Sequence, residues 1–129
     1  MPAGEGLSPR ERGDIAHAVR TATELCGYPF TVHISGADEE TRPYAETLHA
    51  GLPDSDRAVL VFIDPGANRL EIVTGTEARR VLSDDDCALV ALTMQSAFAV
   101  GDLVGGTTSG VLQLAEHARR PTTVHTDTP

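Results

Sequence analysis

The segment "DRAVLVFIDPGANRLEIVTG", residues 56–75, constrains the fold more than any other stretch. From Ala58 to Ile63 every residue is apolar, so a strand built here needs cover on both faces. "PGAN" reads as a tight turn, and beyond it Leu70, Ile72 and Thr74 alternate with Glu71 and Val73. Two strands joined this closely pair antiparallel as a hairpin. A doubly covered strand in a hairpin calls for helices above and below one sheet.

The flanking sequence supplies those helices. Ser8-Pro9-Arg10-Glu11 has the form of a helix start, with serine as cap, proline at the first position and glutamate completing a capping box. Ile15, Val19, Ala22 and Cys26 follow on one helical face, and Gly27 stops the helix. "PFTVHIS" (29–35) alternates Phe30, Val32 and Ile34 against Thr31 and His33, which is a strand. "TRPYAETLHAG" is a short helix ended by Gly51. After a helical turn at 76–82 come two helices, about 83–98 and about 102–118. The former is apolar nearly all round and is expected to be buried on most sides; the latter carries Val104, Val111, Leu114 and Ala118 on one stripe.

The order helix, strand, helix, strand, strand, helix, helix predicts an α/β fold, a three-layer α/β/α sandwich. Its small mixed sheet of about 3–4 strands combines a parallel, right-handed βαβ unit with an antiparallel hairpin strand. The expected organisation is a flexible leader over residues 1–7, a single domain over 8–118 and a disordered tail over 119–129.

Composition narrows the function classes. Ten arginines and no lysine stand against nineteen Asp plus Glu, a net charge of −9 that repels phosphate backbones and anionic membranes. Aromatic residues are 4% of the chain, too few for a platform that stacks nucleic-acid bases. No run approaches 18 apolar residues, so no membrane insertion is expected, and no signal segment opens the sequence. Cys26 and Cys87 are too few and too isolated for a disulfide framework, and they read as small buried hydrophobes in a reducing compartment. The expectation is a soluble, cytoplasmic protein.

The succession "YAETLH", "DRAVLVFIDPGANRLEIVTG", "LSDDDCALVALTMQSAF" and "GDLVGGTTSGVLQL" resembles the TPM domain family over roughly residues 28–116. The resemblance implies an α/β/α sandwich, a divalent-cation site for Ca²⁺ or Mg²⁺, and the acid-phosphatase activity ascribed to some plant members. Carried over by position, its acidic residues are Asp56 before the central strand, Asp84 at a helix start and, more weakly, Asp102 of the "GD" pair. The aspartate that family members carry before the first helix is missing from "GEGLSPRE". The glycine-rich segment before the central strand is reduced to "AGLPDSD", and the membrane helices and export signals of many members are absent.

The residues themselves favour structural roles. Ser83 is a good cap, which puts Asp84, Asp85 and Asp86 in the first helical turn, where carboxylates face unpaired N–H groups and the positive end of the helix dipole. Consecutive helical residues point about 100° apart, so the three do not converge on one ion, though one or two could join a distant carboxylate. Asp54-x-Asp56 precedes its strand, whereas α/β sites form at strand carboxyl ends. Asp64 sits at such an end, but it also opens "Asp-Pro-Gly", a turn its side chain can cap. "GGTTSG" (105–110) lacks the lysine and the preceding strand of a phosphate loop and suits close helix packing instead, with weakened helical continuity. His33 has no visible partner, and no histidine spacing suggests zinc.

The first functional expectation is a non-catalytic binding or regulatory module with an unknown protein partner. The alternative is a divalent-cation-dependent phosphatase in which Asp56, Asp64, Asp84 and Asp102 hold the metal.

Overall fold

Ser8 starts the first helix as the pattern predicts. Its Oγ accepts the Glu11 N–H at 3.1 Å while Glu11 accepts the Ser8 N–H at 2.8 Å, so two otherwise orphaned donors are satisfied. The helix, α1 (Pro9–Cys26), ends at Gly27 with φ 81°, a left-handed backbone that glycine adopts without strain. The computed structural model describes residues 7–37 and 40–119. The segments expected as leader and tail therefore lie almost wholly outside the described residues.

Beyond α1 come β1 (Phe30–Ile34), α2 (Thr41–Ala50), β2 (Val59–Asp64) and β3 (Arg69–Thr74). A 3-10 turn (Ala78–Arg80), α3 (Asp84–Ala99) and α4 (Leu103–Arg119) complete the order. The sheet runs β1-β2-β3. β1 and β2 are parallel from Phe30–Val59 to Ile34–Ile63. β2 and β3 are antiparallel from Val59–Thr74 to Asp64–Arg69. β2 begins later than its apolar run suggests, because Arg57 and Ala58 are held in turns by the carbonyls of Asp54 and Ser55.

All six residues of β2 are buried. Leu60 and Phe62, with Val73 of β3, pack against Ala45, Tyr44 and Leu48 of α2. Val59, Val61 and Ile63 point the other way, into a larger core with Ala22 of α1, Val90 and Met94 of α3, and Val111 and Leu114 of α4. That is the expected α/β/α sandwich, with three strands: one helix on one face of a mixed sheet and three on the other.

Two expectations about the last helices need correction. α3 is not buried on most sides: Leu89 is 62% and Leu92 64% exposed, and only Cys87, Val90 and Met94 are buried along it. α3 packs on α4 and the sheet, and among the described residues no element covers its outer face. α4 in turn runs unbroken through its glycines. Added β-carbons would run into Phe98 and Ala97 at Gly106, and into Met94 at Gly110. The closeness of α3 and α4 offsets the propensity cost of about 1 kcal/mol per glycine. No described helix is long and apolar enough to cross a membrane.

Candidate functional site

In a parallel βαβ unit, the carboxyl ends of the strands are where sites form, and Asp64 closes β2 there. It is 4% exposed. Its Oδ1 accepts the Ala67 N–H at 3.2 Å, the turn-capping role the Asp-Pro-Gly sequence suggests. Its Oδ2 accepts the Ala37 N–H at 3.1 Å, which fastens the segment after β1 to the end of β2. Sequence gave no sign of that second bond, since its partners are 27 residues apart. Beside it, His33 Nε2 and Ser35 Oγ share a hydrogen bond of 3.1 Å, and the His33 ring stacks on Phe62 at 5.8 Å.

The other three aspartates are distributed over both ends of the sheet. Asp102 precedes α4 and caps it, accepting the Gly105 N–H at 2.9 Å. Its neighbour Leu103 lines a small cleft with Asp64, Asn68 and Gln95, so Asp102 and Asp64 belong to the carboxyl end. Asp56 is exposed at the amino end, where its carbonyl accepts the N–H groups of Glu77 and Ala78. Asp84 is close to that end, 3.9 Å from Arg79 and 88% exposed, an ion pair worth little in water. β2 lies between the two pairs, six residues that at about 3.3 Å per residue span more than 15 Å. Among the described residues, no three His, Cys, Asp or Glu are placed to hold a metal ion.

The aspartate triplet opens α3. Ser83 Oγ accepts the Asp86 N–H and Asp86 Oδ2 accepts the Ser83 N–H, both at 3.1 Å. Asp86 Oδ1 also lies 3.5 Å from His117 Nδ1 at the end of α4. Behind them, Cys87 has its thiol pushed up from 9.0 to about 11, first by burial and then by the negative charges of Asp84 and Asp86. Both cysteines are free.

Several consequential residues were invisible in the sequence. His49 is buried, and its Nε2 donates to the Ala58 carbonyl at 3.0 Å. Arg57 ties Glu77 (2.7 Å) to the Gly27 carbonyl (2.8 Å) and lies over the Tyr28 ring, so it joins the end of α1 to the segment after β3. Arg42 and Arg79 donate to the carbonyls of Ile72 and Thr74 on the outer edge of β3, each at 3.0 Å. Only the hairpin pattern hinted that β3 would have an edge to protect.

A groove of about 710 Å³ runs between α1 and β1, lined by Ile15, Val19, Val32 and Ile34 with Arg12 and Arg20. No side chain in the groove forms a constellation for acid–base or nucleophilic chemistry.

The chain resembles uncharacterised proteins of Mycobacterium tuberculosis, from strains CDC 1551 / Oshkosh and ATCC 25618 / H37Rv. Each is 26% identical over 98 residues, 76% of this chain. The chain spans 59% of the length of these relatives. Two solution structures share its fold. The BA42 protein of Bizionia argentinensis has a TM-score of 0.76 at 17% identity, covering 89% of this chain and 83% of that one. The N-terminal domain of the cg2496 protein of Corynebacterium glutamicum has a TM-score of 0.72 at 12% identity, covering 89% and 76%. A family model described as a domain of unknown function matches residues 5–115.

Proposed function

Since the chain belongs to the DUF5130 family, we propose that it is a TPM-like, non-catalytic binding or regulatory module for a protein partner. One observation carries this reading. The acidic residue best placed for chemistry, Asp64, turns both carboxylate oxygens inward onto backbone N–H groups of two loops. A carboxylate held that way positions loops, since each of its oxygens already accepts a backbone N–H. His33 and His49 are likewise hydrogen-bonded within the fold, and the buried side-chain polar atoms among the described residues all have partners.

The competing reading is a phosphatase that holds Ca²⁺ or Mg²⁺ with Asp56, Asp64, Asp84 and Asp102. The split of these four between the two ends of β2 weighs against it, because a hard cation takes about 6–8 converging oxygens. Hydrolysis of p-nitrophenyl phosphate, with thermal melts in millimolar Ca²⁺, Mg²⁺ or chelator, separates the two readings. The binding module releases no phosphate above background and melts at the same temperature in all three. Cation-dependent release that disappears in Asp64→Asn, together with a melt raised by the metal, would establish the phosphatase instead.

A further inference from the structure

The two edges of the sheet are treated differently. On β3 the outward carbonyls of Ile72 and Thr74 are covered by the guanidinium groups of Arg42 and Arg79. On β1 the ladder bonds use alternate residues: the Pro29 carbonyl accepts the Val59 N–H, and the Ser35 N–H donates to Ile63. The intervening Phe30, Val32 and Ile34 therefore turn their backbone groups to the free edge. Thr23 of α1 accepts the Phe30 N–H at 3.1 Å and closes that edge at its amino end. Among the described residues, the outward backbone groups of Val32 and Ile34 make no hydrogen bond, and their side chains are only partly buried against the core. Edge strands are ordinarily blunted by proline, charge or cover, and "FTVHI" has no proline and no Asp, Glu, Lys or Arg.

We propose that β1 is a strand-addition site that binds an extended segment of a protein partner, with alternating apolar residues and an acidic flank. This rests on the binding-module reading above and specifies its surface. Main-chain hydrogen bonds to Val32 and Ile34 supply the register, and the groove takes alternate side chains against Ile15, Ala16 and Val19. The charged groups lining the groove are Arg12 and Arg20, on a chain whose net charge is −9. Arg20 forms no ion pair among the described residues, so a carboxylate on the incoming strand complements it. A second copy suits the edge less well. Two-fold β1–β1 pairing puts both α1 helices on the same face of the sheet, and the "FTVHI" strand of a second copy brings no carboxylate for Arg20.

The test uses a fluorescein-labelled peptide, Glu-Val-Thr-Val-Thr-Val-Asp, titrated with the whole chain, with amide hydrogen exchange read in parallel. Saturable binding is expected, weakened by salt, together with slowed exchange at the Val32 and Ile34 amides. Val32→Pro removes an outward donor that β2 does not use, and proline is tolerated on the free side of an edge strand. Arg20→Glu reverses an exposed charge without touching the sheet. Each is expected to weaken binding at least about tenfold, 1.4 kcal/mol, at an unchanged melting profile for Arg20→Glu. Binding that is absent, that both variants retain, or that protects amides elsewhere overturns the proposal. So does concentration-dependent self-association abolished by Val32→Pro, which would make a second copy the occupant. Failure here without phosphate release leaves the module reading standing, whereas cation-dependent phosphate release removes that reading itself.

Discussion

Asp64 shows how one side chain can look catalytic and be architectural. Its two accepted N–H bonds come from loops on either side of β2, so Asp64→Asn replaces one acceptor oxygen by an amide that cannot accept. The expected cost is about 1–3 kcal/mol, read as a lower urea midpoint at unchanged slope. Cys87 gives a pH signature. Its thiol is raised to about 11 in the fold, by burial first, against 9.0 for an ordinary thiol. The protonated form is therefore favoured by the native state, so the contribution is complete below pH 9 and is lost as the pH rises from 9 toward 11. Melts over that range should fall more steeply for the native chain than for Cys87→Ala, and equal slopes would show that the thiol does not contribute.

The α3–α4 hairpin turns on glycine. Gly110 lies where a β-carbon would meet the Met94 side chain, so Met94 of α3 fills the space that the missing side chain leaves. Ala is the better helix former by about 1 kcal/mol, yet Gly110→Ala is expected to destabilise, because overpacking a filled core costs about 1–3 kcal/mol. A raised melting temperature in that variant would mean that Met94 swings aside freely. The run "GGTTSG" identified itself as a packing surface, but its propensities argued against an intact helix. Helix propensity is a local quantity, and the contacts with α3 that override it are not local. The same limit explains α3, whose sequence is apolar on faces that nothing in the described chain covers. An apolar pattern reports what a helix prefers to touch, and it carries no information on whether a neighbour is available.

Across the whole molecule, β2 joins the two cores: Leu60 and Phe62 face α2 while Val59, Val61 and Ile63 face α1, α3 and α4. Neither core can come apart without exposing that strand, so unfolding should be a single cooperative transition. Far-ultraviolet circular dichroism and tyrosine fluorescence, which reports Tyr28 beside α1 and Tyr44 on α2, should give coincident denaturation curves; separated curves would show two independent units. The layering, the element order, the serine caps of α1 and α3 and the doubly buried strand were all encoded locally, in residue periods of 2.0 and 3.6 and in the chemistry of Ser8 and Ser83. These signals span a few residues, so sequence alone determined them. The tertiary structure decided what depends on residues far apart in the chain. It placed Asp56 and Asp84 at one end of the sheet and Asp64 and Asp102 at the other. It joined Ala37 to Asp64, put Arg42 over the edge of β3, and left the edge of β1 open among the described residues. Such choices are made by packing across 20 to 30 residues of intervening chain, where no local period reaches.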